Sequence, residues 1–502
     1  MAVNETETKY DAPAGAGLPS LDRLPRVAAT SRPGGLRLEA EYYDTDDLRL
    51  IRAGITLRWR SGGDDDGWHL KLPLGRTRRE LRRPLGESPR RIPDDLACLV
   101  RVHTRGAPLR PIARMTTIRQ RVILLDAAGE SLAEVAADDV SAQTLGPVTA
   151  VSRWQEVEVE LTGGDRRLLR AADALLRHDG LRPTGRAAKL IRALGDQLPP
   201  PDPGPPLTAS SPAGPVVLTY LRAHATRLKA LDPLVRLDEP DAVHQMRVAT
   251  RRLRSTLRSF GQVLPHEATD GLAGELKWLG GILGAARDDE VLAHHLLAGL
   301  RQVPVELRIG PVQARVQGHF ASARAAARTE LLAALESERY FSLLDDLDGL
   351  LASPPLTAGA ARPGTEVLPA AVRWGRRQAT RRMRHAWQAA PGPDRNAALH
   401  QARKSARRAR YAAEASAPAA GTKATKFARR MKKVQSVLGE HQDTVIAREM
   451  TRDLGIAAHL AGENAFSYGL LHGRDACAAE RLQAKARRAW KKAAHKPRWP
   501  HD

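Results

Sequence analysis

The chain has 502 residues, of which 42% are hydrophobic, so it is too long for one ordinary core and too apolar for a disordered chain. It carries 79 lysines and arginines against 57 acidic residues, which gives a formal net charge of +22. Residues 1–200 hold 32 basic and 28 acidic side chains, whereas the remainder holds 47 and 29. The sequence therefore predicts two or more domains, with a polyanion-binding surface mainly in the C-terminal half.

Several classes of protein are disfavoured by the motifs that the sequence lacks. Cys98 and Cys477 lie in different halves and make neither a disulfide framework nor a zinc site, which suits a reducing compartment. The acidic N-terminus is no signal peptide, and no run of about 18 apolar residues could span a membrane. Neither a GxxxxGK[ST] motif nor an HExxH motif is present. We expect a soluble, cytoplasmic protein that is neither a Walker-type ATPase nor a zinc hydrolase.

The first half of the chain shows the period-two alternation of short strands separated by Gly, Pro and Asp turns. In one of them Leu57 and Trp59 alternate with Arg58 and Arg60. The predicted strands lie near residues 3–10, 37–43, 55–61, 67–73, 116–126, 131–138 and 154–161. Helices near residues 164–178 and 186–195 follow them. This order predicts an α+β domain whose strands close into a barrel, because closure removes exposed edges.

One parity of these strands is charged throughout, and side chains two residues apart share a face. The charged members, of both signs, are Glu5, Glu7, Lys9, Arg58, Arg60, His69, Lys71, Arg119, Arg121, Glu156, Glu158 and Glu160. A solvated sheet face is the ordinary explanation for any single strand. The whole set also suits a condensed phosphate with a divalent cation, because carboxylates bind the metal and basic side chains bind phosphate oxygens.

The motif ETETK at residues 5–9 resembles the ExExK motif of CYTH domains, the triphosphate tunnel metalloenzymes, and residues 42–73 resemble the segment that follows it there. The resemblance covers most of residues 1–197 and implies an eight-stranded antiparallel tunnel barrel that holds triphosphate with Mg²⁺ or Mn²⁺. It implies that Glu5, Glu7 and Lys9 are catalytic residues and that Glu5 and Glu7 are metal ligands, with Glu134, Glu156 and Glu158 as further metal ligands. The phosphate-binding side chains that it implies are Lys9, Arg58, Arg60, Lys71, Arg119, Arg121 and Lys189. Glu160 shares the parity, and a position beyond the tunnel mouth stays open for it.

A Pro-rich linker at residues 198–211 separates this domain from a helical half at residues 212–495. The helical half repeats itself: residues 242–257 match residues 398–413, and residues 276–291 match residues 431–446. Two blocks in the same order at nearly the same offset indicate a duplicated helical bundle.

Basic side chains recur at helical spacing in both copies of the first block. They are His244, Arg247, Arg251, Arg254, Arg258, His400, Arg403, Lys404, Arg407 and Arg410. A solvated basic face is the ordinary explanation, but acids are nearly absent from these stripes, so ion pairs along the helix cannot stabilise them. An external polyanion is therefore the simpler explanation.

The helical half resembles a CHAD domain, the conserved-histidine α-helical domain, through VHQMRVATRRLRS at residues 243–255 and the repeated LG…D blocks. That resemblance implies binding of inorganic polyphosphate by the basic stripes. Nucleic acid is the disfavoured partner, because aromatic residues make up only 4% of the chain and the basic helices lack interleaved stacking residues.

The main functional hypothesis is an enzyme, a phosphoanhydride hydrolase that cleaves inorganic triphosphate or related triphosphates with a divalent metal. The helical domain would bind inorganic polyphosphate and could associate the protein with polyphosphate granules. The alternative is a non-catalytic protein in which both domains dock on polyphosphate. Adenylate cyclase ranks third, because the sequence shows no adenine pocket, and a nucleic-acid scaffold stays open for the helical half alone.

Overall fold

The computed structural model describes residues 2–13, 15, 17–74, 77–84, 90–146, 149–184, 189–198 and 206–494. They belong to two compact units, Met1–Asp202 and Pro203–Asp502. The first unit is an antiparallel sheet with flanking helices, and the described part of the second has helices as its regular structure apart from one isolated β-bridge. The predicted fold class, an α+β unit followed by an all-α unit, is confirmed.

Eleven strand segments form one antiparallel sheet in the first unit. In chain order they are Ala2–Glu5 (β1), Glu7–Ala12 (β2), Ala29–Ser31 (β3), Leu36–Asp44 (β4), Thr56–Ser61 (β5), Gly67–Leu74 (β6), Thr77–Arg83 (β7), Arg110–Leu125 (β8), Ser131–Thr144 (β9), Val151–Leu161 (β10) and Arg182–Pro183 (β11).

The first two segments close the sheet into a barrel. β1 and β2 are halves of one extended stretch interrupted at Thr6; β1 pairs with β7, and β2 pairs with β10. The stretch therefore joins the two ends of the sheet. Counted once, it forms an eight-stranded barrel with β4 to β10, and the short β3 and β11 bring the count to ten rather than the predicted eight.

Four helices accompany the barrel: Arg49–Arg52 (α1), Asp94–Thr104 (α2), Arg166–His178 (α3) and Lys189–Leu194 (α4). The apolar face of α3, including Leu168 and Leu176, packs against Val157 and other apolar strand residues. Leu190 of α4 packs in a second cluster that includes Trp154. The apolar parity of these strands thus faces α3, which leaves the charged parity to face the interior of the barrel. Trp154 shares the charged parity with Glu156 and Glu158, so α4 packs against the interior side of the sheet.

The helices of the second unit are Ala213–Arg236 (α5), Ala242–Leu257 (α6), His266–Arg301 (α7), Val312–Leu335 (α8), Glu338–Ala352 (α9), Gly364–Gln388 (α10), Pro393–Leu460 (α11) and Phe466–Ala493 (α12). Within the described residues, none of these helices is both long enough and apolar enough to cross a bilayer.

The sequence repeat is visible as a repeated pair of helices. α6 and α7 carry the first copy of both blocks, and α11 carries the second copy of both. α11 is broken at Gly421, whose backbone (φ 64, ψ −149) is not helical and suits a residue without a Cβ. Arg403 lies against Gly439, so the two halves of α11 run antiparallel on either side of Gly421, as α6 and α7 do on either side of their loop.

Candidate functional site

The interior of the barrel is a cavity of about 360 Å³ lined mainly by charged side chains. All seven side chains predicted to bind phosphate line it, namely Lys9, Arg58, Arg60, Lys71, Arg119, Arg121 and Lys189. The predicted acidic residues Glu7, Glu134 and Glu158 line it as well, and so does Glu160. Glu160 therefore belongs to the cavity and does not lie beyond its mouth.

Three of these carboxylates form a row across neighbouring strands. Glu160 of β10 stands opposite Glu7 of β2 on one side and opposite Glu134 of β9 on the other. Paired residues on one face of an antiparallel sheet have Cβ atoms about 5 Å apart. The row therefore presents three hard oxygen donors to the cavity, the type of ligand that Mg²⁺ and Mn²⁺ bind.

A second acidic cluster is filled by a lysine. Carboxylate oxygens of Asp138, Glu156 and Glu158 lie within 4.8 Å of one another. Lys189 Nζ lies 2.9 Å from Asp138, 2.6 Å from Glu156 and 2.7 Å from Glu158. The ammonium group occupies the position that a cation would take among these three carboxylates, and Lys9 Nζ lies 3.2 Å from Glu7 of the row.

Glu158 connects this cluster to the two other cations nearby. It pairs with Lys9, and Arg119 donates to it at 3.0 Å. Burial opposes ionisation of Glu158, but the charges of Lys189, Lys9 and Arg119 outweigh it and hold its pKa well below the ordinary value. Burial alone would lower the pKa of Lys9, and the Glu158 charge raises it instead. These groups are therefore charged at neutral pH and hold one another in place.

Buried Asp138 orients Arg119 in the same way. Arg119 Nε and Nη2 donate to the two oxygens of Asp138 at 2.8 and 2.7 Å. A bidentate pair of this kind fixes the plane of the guanidinium group. Asp138 is thus a positioning residue for two cations, Arg119 and Lys189, that line the cavity.

Glu80 of β7 performs the same task on the opposite wall. Its side chain is 1% exposed and lies 3.9 Å from Arg58, 3.6 Å from Lys71 and 2.6 Å from Arg82 Nε. His69, also 1% exposed, contacts Glu80 at 2.9 Å through Nδ1. Burial would raise the pKa of Glu80, but the hydrogen bond from His69 and the charges of Lys71 and Arg58 hold it well below the ordinary value.

Two further arginines pair with acids of the β5–β6 turn. Arg60 pairs with Asp65, and Arg121 Nη1 lies 3.1 Å from Asp64. Both aspartates line the cavity. Asp64 is 84% exposed at its side chain, so this pair lies at the open end of the cavity.

The remaining predicted acidic residues lie elsewhere. Glu156 is 4% exposed, and it accepts a hydrogen bond from Trp154 Nε1 at 2.6 Å, so its visible role is to hold Lys189. The backbone of Glu5 lies opposite Arg78 in β1 and β7, and its side chain is outside the described part of the chain. Asp138 and Glu80 were not predicted from the sequence; Asp138 shares the parity of Glu134, and that signal could have identified it.

In the second unit the two predicted basic stripes meet. Arg252 of α6 lies 2.9 Å from Glu414 of α11 and stacks over Tyr411 at 5.3 Å, which places the two helices side by side. Burial lowers the pKa of Arg407 to about 10, together with the positive charges of Arg251, Arg403 and Arg247. We call Arg247, Arg251, Arg403 and Arg407 the arginine cluster. Its members face one another across the two copies of the repeat.

The repeated LG…D block explains how the cluster is held. A Cβ on Gly284 would lie 3.1 Å from Arg247 Nη2, and a Cβ on Gly439 would lie 3.2 Å from Arg403 Nη2. The glycines therefore leave room for the two guanidinium groups. Arg247 donates to Asp288 of the same block at 2.5 and 3.2 Å.

The cluster nonetheless keeps unused hydrogen-bonding capacity. The Nε atoms of Arg251 and Arg403 are buried and make no hydrogen bond to the described part of the chain. Repulsion among four guanidinium groups is costly where acids are few. An anion with several oxygens would satisfy both the charge and the free donors.

The other stripe residues differ in position. Burial, with the positive charges of Arg258 and Arg254, lowers the pKa of Arg408. These three arginines therefore lie near one another and extend the basic surface, and Lys404 is exposed. Arg410 is 7% exposed and lies 3.4 Å from Glu414, so it is an internal ion-pair partner. Burial, with neighbouring positive charges, lowers the pKa of His244 and of His400, so both imidazoles are neutral at pH 7.

Two stretches of the chain match models of known families: residues 4–183 match the CYTH domain, and residues 219–452 match the CHAD domain. An uncharacterised protein of Mycobacterium tuberculosis (strain CDC 1551 / Oshkosh) is 37% identical over 504 residues, covering 97% of this chain and 96% of that protein. Among solved structures, PptA from Streptomyces chartreusis is 26% identical, with a TM-score of 0.48, and the match covers 56% of this chain and 100% of that chain. The CHAD domain from the plant Ricinus communis is 24% identical, with a TM-score of 0.45, covering 60% and 98%.

Proposed function

The chain belongs to the family of two-domain proteins that join a CYTH domain to a CHAD domain, and from this premise we propose that it is a divalent-metal-dependent triphosphatase whose helical unit binds inorganic polyphosphate. The observation that carries the enzymatic part is the cavity in which seven basic side chains and the Glu7–Glu160–Glu134 row meet. The basic side chains suit a triphosphate, and the carboxylates would repel it in the absence of a cation.

CYTH tunnel proteins are metal-dependent, and the acidic row of this cavity fits such an ion. Glu7, Glu134 and Glu160 would hold it, with Glu5 as a further candidate from the same motif. A divalent cation bound there would neutralise phosphate oxygens and lower the pKa of a bound water. Mg²⁺ and Mn²⁺ are the proposed ions, because the donors are carboxylate oxygens.

The cations of the cavity would bind and orient the phosphate chain. Arg119 and Lys189, held by Asp138, would bind it from one wall, and Arg58 and Lys71, held by Glu80, would bind it from the other. Because buried carboxylates fix these side chains before substrate arrives, little reorganisation accompanies charge development at the cleaved bond. A carboxylate of the acidic row would orient the attacking water in line with the leaving phosphate.

The helical unit would bind longer chains through the arginine cluster. Four guanidinium groups, two with unused Nε donors, are arranged for an anion that offers oxygens at short intervals. Inorganic polyphosphate has that chemistry and needs no stacking residues, which the basic helices lack. Association with polyphosphate granules would follow from this binding.

The experiment that tests the enzymatic proposal is phosphate release by the full chain from triphosphate, ATP and long-chain polyphosphate. Each substrate is supplied with Mg²⁺, with Mn²⁺ and with a chelator. We expect turnover of triphosphate or a related triphosphate that requires metal. Polyphosphate binding without hydrolysis of any substrate would contradict the enzymatic proposal and support the non-catalytic alternative.

A further inference from the structure

The C-terminal half of α11 presents a second basic surface that the stripes do not include. Its six cations are all exposed: Lys423, Lys426, Arg429, Arg430, Lys432 and Lys433. No acidic residue lies between Glu414 and Glu440 in the sequence. We call these six residues the α11 basic face. Like charges three and four residues apart on a helix destabilise it, so the arrangement calls for an explanation.

The duplicated fold does not require these cations. At the repeat offset their counterparts in α7 are Ala268, Gly271, Gly274, Glu275, Lys277 and Trp278, of which one is basic. In the first copy α9 covers two of these positions, because Arg339 donates to Glu275 at 2.6 Å and stacks over Trp278 at 4.3 Å, while the other four are exposed. In the second copy the counterparts of that covered pair, Arg430 and Lys433, are exposed.

The basic face begins beside the arginine cluster. Gly439 lies against Arg403 of the cluster, and Lys432 precedes Gly439 by seven residues. Two helical turns bring Lys432 to the same side of the helix, about 10 Å further along. From there the exposed cations continue toward the turn at Gly421. A linear anion that leaves the arginine cluster in this direction therefore meets further positive charge.

The chemistry of the face selects among polyanions. Phe427 is the one aromatic residue between positions 415 and 439, and it is buried at 2% exposure, so no aromatic side chain on this face can stack on a nucleic-acid base. The apolar side of the helix, including Met431 and Val434, is buried within the bundle. It cannot insert into a lipid surface as a membrane-binding amphipathic helix does. A bare phosphate chain needs neither feature.

We propose that the α11 basic face binds the continuation of a long polyphosphate chain whose first phosphates lie in the arginine cluster, and that it thereby gives the protein a preference for long chains. The inference rests on the proposed polyphosphate binding. Because one molecule spans both surfaces, its second segment binds at high effective concentration. Short chains that fill only the arginine cluster gain nothing from it.

The test compares the full-length parent with a variant that carries Lys426→Gln, Arg429→Gln, Lys432→Gln and Lys433→Gln. The charge-matched control carries Arg166→Gln, Arg167→Gln, Arg170→Gln and Arg182→Gln, four exposed positions of the first unit. Equilibrium binding is measured with chains of about ten and about a hundred phosphates, per mole of phosphate, at several salt concentrations. Circular dichroism and thermal unfolding establish that both variants are folded.

For the variant we expect affinity for the long chain to fall about tenfold or more, and affinity for the short chain to fall less than about twofold. For the long chain, the slope of log affinity against log salt should also become shallower. The expected change is about 0.7 for each phosphate group that the variant no longer binds, the value found for single-stranded nucleic acids. The control should match the parent. Unchanged long-chain affinity, or an equal loss for both chain lengths, would overturn the inference and leave the arginine cluster intact as a site. A parent that binds neither chain would instead contradict the proposed polyphosphate binding itself.

Discussion

The two charged regions of the molecule use the same side chains in opposite ways. In the tunnel, cations lie against buried carboxylates: Asp138 and Glu158 hold Arg119 and Lys189, and Glu80 holds the opposite wall. In the arginine cluster, guanidinium groups face one another, and burial with mutual repulsion lowers the pKa of Arg407 to about 10. The first region is compensated within the protein, whereas the second has few acidic partners of its own and is the one that we propose binds an external anion.

This difference teaches what each region can do. A compensated site is rigid before ligand arrives and has little net charge, so it suits a short substrate held in one position for chemistry. An uncompensated surface attracts a polyanion from a distance and loses that attraction as salt screens it. We therefore expect polyphosphate binding to depend much more steeply on salt than triphosphate turnover does. The following predictions test this contrast, beginning with the largest expected effect.

Replacing an acidic-row residue should abolish chemistry without affecting the helical unit. For Glu7→Gln we expect a loss of metal-dependent phosphate release of at least about 100-fold, because even outer residues of a metal site cost 10–100-fold. The amide keeps the size of the side chain and removes a hard anionic ligand. Phosphate release from triphosphate is measured across a range of Mg²⁺ and Mn²⁺ concentrations, together with polyphosphate retention.

Glu130→Gln is the matched control, because Glu130 is exposed in the turn between β8 and β9. It should leave turnover unchanged. Polyphosphate retention should be the same in parent, variant and control. Full turnover by Glu7→Gln would show that this carboxylate takes no part in catalysis, and a parallel loss of retention would end the proposed division of labour.

Replacing the arginine cluster should have the opposite outcome, weaker polyphosphate binding with triphosphate turnover retained. Replacing Arg247, Arg251, Arg403 and Arg407 together by Gln should weaken polyphosphate binding on the order of 10- to 100-fold, because the four side chains bind one chain. Triphosphate turnover should change by less than about twofold, since the cavity belongs to the other unit. Both quantities are measured on the same preparations, at low and at high salt.

The charge-matched control for this variant is the set of four arginine replacements at positions 166, 167, 170 and 182, which lowers net charge equally on the other unit. If the control weakens binding as much as the cluster variant, overall charge and not the cluster attracts the polyanion. If the cluster variant retains parental affinity, the stripes are solvated faces.

Much of the fold followed from periodicity alone. The apolar and charged parities indicated which side of each predicted strand faces the interior, and the repeat indicated that α6 and the first half of α11 are equivalent. β7 was not predicted, because in TRRELRR at residues 77–83 only Leu81 is apolar and both parities carry charge. α2 was also missed, although Leu96, Leu99 and Val100 follow helical spacing and are buried.

The sequence predicted which strand residues face the site, but it did not predict which residues of neighbouring strands stand opposite each other. Parity identified six of the basic side chains of the cavity, and the resemblance to CYTH domains added Lys189. Only the pairing of β9 with β10, however, shows that Asp138 and Glu156 stand opposite each other. Sequence spacing placed Arg410 on the exposed stripe. It is buried instead, because α11 also packs against α5, α6 and α10, which leaves only a narrow arc of the helix open to solvent.

Glu80 offers a smaller and more specific test of the compensated site. It touches Arg58, Lys71 and Arg82, so Glu80→Gln should let these cations move and lower kcat/KM for triphosphate about tenfold. We expect most of this decrease to come from a higher KM, because Glu80 positions the phosphate-binding side chains and not the acidic row. Glu39→Gln, an exposed change on β4, is the control, and a loss confined to kcat would show that Glu80 has a different role.

The smallest expected effect concerns the two histidines beside the arginine cluster. Burial, with neighbouring positive charge, lowers the pKa of both His244 and His400, so neither is charged at pH 7. Their protonation begins below the ordinary histidine pKa of about 6.5 and would add positive charge facing the polyanion. Binding of the polyanion favours the protonated form, so affinity for long polyphosphate should rise by about two- to fivefold between pH 7.5 and pH 5.5.

Acidification should strengthen polyphosphate binding but weaken the fold, so measurements of affinity and of stability separate these two effects of histidine protonation. A histidine whose pKa is lowered in the folded state destabilises the fold as pH falls below its unfolded pKa, because the unfolded chain binds the proton more readily. Without ligand, thermal stability should therefore decline in the pH range in which polyphosphate binding tightens. His244→Gln combined with His400→Gln should flatten the pH dependence of binding and leave the affinity at pH 7.5 nearly unchanged. Long chains are the proper ligand, because their few terminal groups contribute little titration of their own. A double variant that keeps the parental pH dependence would assign it to other groups of the helical unit.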